Sequence, residues 1–147
     1  PSDTGLPGGL TVLPRVAGIV GADGAIEGFT ALAEWHAPGL GPPKDRDFAI
    51  VLGPWFTTVD EALATPEVTL TVDGARSAAR FGGFDWEAAR RFAVENTRLR
   101  VGDLLLAPMA LVDDVLPGAA VAIEVEGHGT LSLTADARSG EPEDQGR

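Results

Sequence analysis

Apolar and polar positions alternate along much of the chain, at the two-residue period of half-buried strands. In "VAIEVEG" (121–127), Val121, Ile123 and Val125 point one way, and Glu124 and Glu126 the other. "GHG" (127–129) predicts a turn into "TLSLT", which alternates again. "VTLTV" (68–72) places Val68, Leu70 and Val72 on one face, and Asp73-Gly74 predicts a hairpin back through "ARSAARF". "VAGIVG" (16–21) and "AIEGFTALAEW" (25–35) are longer apolar runs with Asp23-Gly24 at a hairpin tip. "FAIVLGPWFTT" (48–58) is β-branched and aromatic until Gly53-Pro54 bends or breaks it, and "GDLLLAP" (102–108) is another short apolar run.

Helical periodicity is scarce. "DWEAARRFAVENTR" predicts one principal helix over 85–98, with Asp85 as N-cap, Trp86, Ala89 and Ala93 as its apolar stripe, and Phe92 beside them. "TVDEALA" (58–64) has Thr58 and Glu61 at capping-box spacing and predicts one or two turns, ended before Pro66. Many strands and one good helix give a mainly β (α+β) class, a sandwich or roll with a helix packed on it. Residues 1–9 read as a flexible lead, 10–137 as one domain without internal repeats, and 138–147 as a disordered polar tail.

Composition narrows the chemistry. The chain has no cysteine, which removes disulfides, thiolate metal sites and cysteine nucleophiles together. Its 22 acidic residues against 11 basic ones give a formal charge of −11, a surface that repels phosphates, so no nucleic-acid partner is expected. No apolar run approaches a membrane span, and "PSDTGLPGGL" has neither the basic region nor the apolar core of a signal peptide. A cytoplasmic protein without a membrane partner is therefore expected. No G-x-S-x-G, HExxH, P-loop or EF-hand pattern occurs.

The landmarks occur in a telling order. "GFTALAEWHAPG" (28–39) resembles a G-Y-x-x-x-N-D-x-S-A-R-D segment, and "RDFAIVLGPWFTTVDEA" a K-D-F/K-S-F…L-G-P-W-x-x-T-x-D-E-L segment. "FAVENTRLRVGDLLLAP" resembles a helix leading to L-x-P-G-D-x-x-x-T-G-T-P, and "VLPGAAVAIEVEGHGTLS" a closing L-x-P-G-D-x-V-x-V-x-I-x-G-I-G-x-L. "VTLTVDGARSA" stands where a strand, turn and strand belong. Over most of residues 15–134 the chain thus resembles the C-terminal catalytic domain of the fumarylacetoacetate hydrolase family. The resemblance implies a mixed β-sandwich roll and a homodimer. It also implies cleavage, decarboxylation, tautomerisation or hydration of acylpyruvates, β-diketo acids, oxo-acids or dienoates. The family's site holds Mg²⁺ or Ca²⁺ in a cage of two glutamates (E-x-E) and one aspartate, a donor set that suits a hard cation. The metal polarises the substrate carbonyl, and a lysine orients the substrate.

Carried over position by position, that metal site is lost. The E-x-E pair falls on Leu13 and Arg15, and the aspartate falls on Glu34. The lysine falls on Arg46, with Lys44 two residues upstream and on the same face if the segment is extended. The T-G-T-P loop becomes Ala107-Pro108-Met109-Ala110, without hydroxyl donors, and the family's N-terminal lid histidine and glutamate have no counterpart. One carboxylate with a guanidinium at an old ligand position repels a divalent cation, so no metal or other cofactor is expected.

Several readings stay open at this stage. Glu34 and Arg15 form a structural ion pair in place of the cation, or Arg15 or Arg46 binds a substrate carboxylate or enolate while Glu34 acts as base, or both are exposed. His36 shares a pocket with Glu34, or is a strand-end histidine half in solvent. His128, between two glycines, is expected in solvent. Trp35, Trp55 and Trp86 are read as core or interface, and Met109 as part of an apolar wall. The leading expectation is a metal-independent enzyme acting on a β-dicarbonyl, enol or oxo-acid by isomerisation, cyclisation or decarboxylation. Its catalytic residues would be Glu34, His36 and Arg46, and its substrate-binding residues Arg15, Lys44 and Met109. The alternative is a non-catalytic binding or partner subunit of the same fold, and the third is a residual metal-dependent C–C hydrolase.

Overall fold

Two antiparallel sheets packed face to face form the computed structural model, which describes residues 9–47, 49–108 and 111–135. The first sheet is built on one long hairpin, β1 (Leu10–Val20) and β2 (Ile26–His36), closed at Asp23-Gly24 as expected. Strands β3 (Ala49–Leu52) and β4 (Thr57–Thr58) pair with β2 on its other side. The second sheet holds two hairpins, β5 (Glu67–Val72) with β6 (Ala75–Arg80), and β9 (Ala120–Val125) with β10 (Gly129–Thr134), in the order β10-β9-β5-β6. Between them the chain forms helix α1 (Trp86–Ala93), then β7 (Leu104–Leu106) and β8 (Asp113–Val115), which both pair with β1.

Alternation decides which side chains meet. Val12 and Val16 of β1 and Ala31, Ala33 and Trp35 of β2 face the second sheet, where Val68, Leu70, Val121, Ile123, Val125 and Leu131 complete one core. The intervening positions Leu13, Arg15, Leu32, Glu34 and His36 therefore share the outer face of the first sheet. Leu13 and Leu32 are buried there too, outside the inter-sheet core.

The structure corrects several expected boundaries. β1 starts at Leu10, six residues before the expected strand, and includes Pro14. Pro14 falls between the stretches of β1 that pair with β8 (10–12) and β7 (17–19), so its missing N–H interrupts neither ladder. α1 ends at Ala93 instead of running to 98. Val94 N–H donates back to Arg91 O at 3.3 Å and Glu95 N–H to Phe92 O at 3.2 Å, a tightened last turn, and Asn96 and Thr97 are poor helix formers. Asp85 is the N-cap, its Oδ1 accepting from Ala88 N–H at 2.9 Å. Residues 58–64 keep to the shorter of the one or two turns expected, with Glu61 and Ala62 N–H both donating to Thr58 O. So short a segment before Pro66 does not offset the cost of helix nucleation. β8 was not expected, because "DDV" has no apolar alternation. β7 keeps only three residues of the expected 102–108 run.

Trp35 is buried in the core, while Trp86 is half-buried against Phe29, with ring centroids 5.0 Å apart, and against Phe84 at 4.7 Å. Trp55 is 60% exposed and Phe92 75%, so neither joins the core. Among the described residues no helix is long and apolar enough to cross a membrane.

Candidate functional site

Glu34 and His36 stand two residues apart on β2, so both project from the outer face. The register sets Leu13 opposite Glu34 and Arg15 opposite Leu32, which makes Arg15 a diagonal neighbour of Glu34. The three polar side chains converge. Arg15 donates to Glu34 Oε2 through Nε at 2.8 Å and Nη2 at 2.6 Å, and through Nη1 to Ala107 O at 3.1 Å. His36 Nε2 lies 2.8 Å from Glu34 Oε1. With Glu34 ionised, that nitrogen is the donor, which fixes the proton on Nε2. The side chains keep only 15%, 11% and 13% of their surface for Arg15, Glu34 and His36.

Electrostatics favours the charged carboxylate. Burial is the largest single influence on Glu34 and raises its pKa, but the hydrogen bonds from His36 and Arg15 and their positive charge together outweigh it. The net result is a pKa below the ordinary 4.5. Glu34 is thus an anion held between two donors, with Leu13 and Leu32 as apolar walls.

The other expected site residues lie elsewhere. Residues 42–46 form a turn instead of an extended segment, so Lys44 and Arg46 do not share a strand face. Lys44 is exposed and pairs with Asp47 at 2.7 Å. Arg46 is exposed as well, and the guanidinium that reaches Glu34 is that of Arg15. Met109 lies outside the described residues, as do the expected tail (138–147) and all of the expected lead except Gly9. His128 corrects its expectation most sharply. It is 4% exposed, because Gly127 and Gly129, at φ +78° and +96°, turn it inward. Its ring packs edge-on to Phe29 at 6.1 Å. Burial pulls its pKa below the ordinary 6.5.

The cluster offers little to a hard divalent cation. Leu13 offers no oxygen, Arg15 brings a positive charge, and both oxygens of Glu34 are already engaged. Among the described residues no three His, Cys, Asp or Glu side chains gather in one place. Five cavities among the described residues have no wall from Arg15, Glu34 or His36. The cavity nearest in sequence, about 230 Å³ lined by Leu10, Trp35, Ala49, Val51 and Leu133 among others, opens on the inner face of the same strands.

No family model and no curated protein matches the sequence. Solved structures do match the fold. Fumarylacetoacetate hydrolase from psychrophilic Exiguobacterium antarcticum superposes with a TM-score of 0.82 at 18% identity, over 92% of this chain and 60% of that one. Maleylpyruvate hydrolase from Sphingobium sp. SYK-6 gives 0.79 at 19% identity, over 88% and 57%. A 2-keto-3-deoxy-D-arabinonate dehydratase complexed with magnesium and 2,5-dioxopentanoate gives 0.77 at 18%, over 88% and 53%. The fold is therefore the fumarylacetoacetate-hydrolase-like β-sandwich roll, and the chain spans little more than half the length of these structures.

Proposed function

We propose that this chain is a non-catalytic member of the fumarylacetoacetate hydrolase family that serves as a binding or partner subunit, with an ion-pair cluster where the family resemblance places a metal. One observation carries the reading: both oxygens of Glu34 are bonded by Arg15 and His36 in a nearly closed cluster. A substrate carbonyl would need an open Lewis acid or a free donor at this place, and Arg15 is already committed to Glu34 and the Ala107 carbonyl. Fold alone does not carry chemistry, so the neighbours' activities do not decide the matter.

The exposed apolar side chains along one edge of the first sheet suit a subunit contact. Ile50 and Leu52 on β3, with Trp55 and Phe56 beyond it, are 45–60% exposed. A second copy of the chain is the partner this reading favours.

Calorimetric titration with Mg²⁺, Mn²⁺ and Ca²⁺ tests the lost metal site. The natural chain binds none of them at micromolar affinity, while Leu13→Glu combined with Arg15→Glu gains a divalent ion by placing three carboxylates on one face. Micromolar binding by the natural chain overturns the reading, as does chelator-sensitive cleavage of an acylpyruvate.

A second reading rests on the 2.8 Å His36–Glu34 contact, which pairs a proton carrier with a carboxylate at a residual opening. In that case a β-dicarbonyl, enol or oxo-acid would isomerise, cyclise or lose CO₂ without a metal, with Arg15 facing the developing oxyanion. Turnover in the presence of chelator, abolished by His36→Asn, would establish it.

A further inference from the structure

His128 does not belong to that cluster. It sits on the other side of the first sheet, between the two sheets and beneath a turn. Its Nδ1 is fully buried and has no hydrogen-bond partner. It lines a narrow space of only about 20 Å³, walled by Val16 and Phe29 from the first sheet, Phe81 and Trp86, and Leu63, Ala64 and Pro66 from the turn after β4. None of these side chains can accept a proton or balance a charge.

The charged groups of the surrounding elements face away. On β1, Arg15 is on the opposite face with Glu34, and on β2 Glu27 is exposed. On the turn Asp60 and Glu61 are exposed. Asp85 caps α1 from outside, and Glu87 is occupied with Arg90 at 2.7 Å. Beyond β9, Glu126 is exposed and pairs with Arg80 at 3.3 Å. Glu67, next to Pro66, reaches Arg80 at 3.8 Å, so among the described residues a proton on His128 meets no carboxylate while the box is closed.

The turn over the box is lightly fastened. Val59 N–H donates to Glu27 O at 3.2 Å at its start, and Phe81 N–H donates to Pro66 O at 2.8 Å at its end. Between these points one hydrogen bond among the described residues reaches the turn from elsewhere in the fold, from Arg80 Nη1 to Thr65 O at 3.0 Å. Otherwise the turn rests on Leu63, itself 46% exposed, and on buried Pro66.

We infer that the box around His128 is an acid-sensitive latch: protonation of the buried imidazole expels it toward water and lifts the 59–66 turn and the Trp86 end of α1 from the first sheet. A charged imidazole carries a proton on Nδ1, which is buried with no acceptor or counter-ion among the described residues, so the closed state disfavours it and the open state accepts it. Burial lowers the pKa of His128 in the closed state, so the sign follows. Above the ordinary pKa both states are neutral and opening is pH-independent. Below about 6.5 the open state takes up a proton that the closed state refuses, and the opening equilibrium grows about tenfold per pH unit until the closed-state pKa is reached.

Hydrogen exchange between pH 8 and 5, corrected for intrinsic rates, tests the latch. Residues 59–66 and 84–89 lose protection below pH 6.5 with a one-proton slope, and the His128 ring resonances of the natural chain titrate below the ordinary 6.5. His128→Leu removes the slope and keeps the segment closed, while His36→Asn leaves it in place. The latch is overturned by a slope that survives His128→Leu or disappears with His36→Asn. A His128 ring that titrates at or above the ordinary 6.5 overturns it independently of any variant, because the closed state then does not exclude the proton.

Discussion

At the scale of single residues, the fate of Glu34 follows from who shares its face. A carboxylate at 11% exposure is stabilised only by specific partners, and Arg15 and His36 are those partners. Removing one member should cost more than the pair is worth. Glu34→Leu leaves the Arg15 guanidinium buried with only the Ala107 carbonyl, and should cost about 3–5 kcal/mol in urea unfolding. Arg15→Leu together with Glu34→Leu extends the Leu13–Leu32 wall and should recover to within about 1.5 kcal/mol of the natural chain. Simple additivity of the two single substitutions would show that the charges do not act as a unit. That Glu34 and His36 share a face was legible beforehand because strand period is a local property, whereas Arg15 entered through the family resemblance alone, since the expected strand began at Val16. That Arg15 and not Arg46 reaches Glu34 depends on residues 42–46 turning, which no alternation in that segment signals. His128 was misjudged for a similar reason. Two flanking glycines mark a turn, but their positive φ angles decide which way the residue between them faces.

At the scale of elements, the hairpins were the most legible part, since Asp23-Gly24 and Asp73-Gly74 fix both position and register. The short edge strands were not, because three residues carry too little pattern. β4 is placed by contact instead. Gly28 on β2 pairs with Thr58, and Phe56 lies over the glycine so closely that an added Cβ would stand 2.3 Å from its ring and 2.6 Å from the Thr57 carbonyl. The half-exposed ring can swing aside, but the carbonyl belongs to the paired backbone. Gly28→Ala should therefore cost about 1–3 kcal/mol and raise hydrogen exchange first at Thr57 and Thr58. An unchanged melting temperature would show that β4 is not held this way.

At the scale of the whole molecule, the two buried titratable sites make stability pH-dependent in separate windows, and both act in the same direction. Glu34 has a folded-state pKa below 4.5, so its contribution is complete above 4.5 and is lost as the pH falls through the folded value. His128 has a folded-state pKa below 6.5, so the unfolded chain binds its proton first and stability declines from 6.5 downward until the folded value is passed. The unfolding free energy should thus be flat from pH 8 to 7, fall once below 6.5, and fall again below 4.5. Glu34→Gln removes the lower step while leaving the upper one, and His128→Leu does the reverse. The net charge of −11 shrinks over the same range, which relieves self-repulsion and raises stability toward acid. That opposing trend is smooth and weakens with added salt, whereas the steps belonging to two enclosed groups persist in salt. Urea titrations at half-unit pH intervals, at low and high salt, separate the two. A single smooth curve that salt abolishes would mean that surface charge, and not these two side chains, governs the acid response.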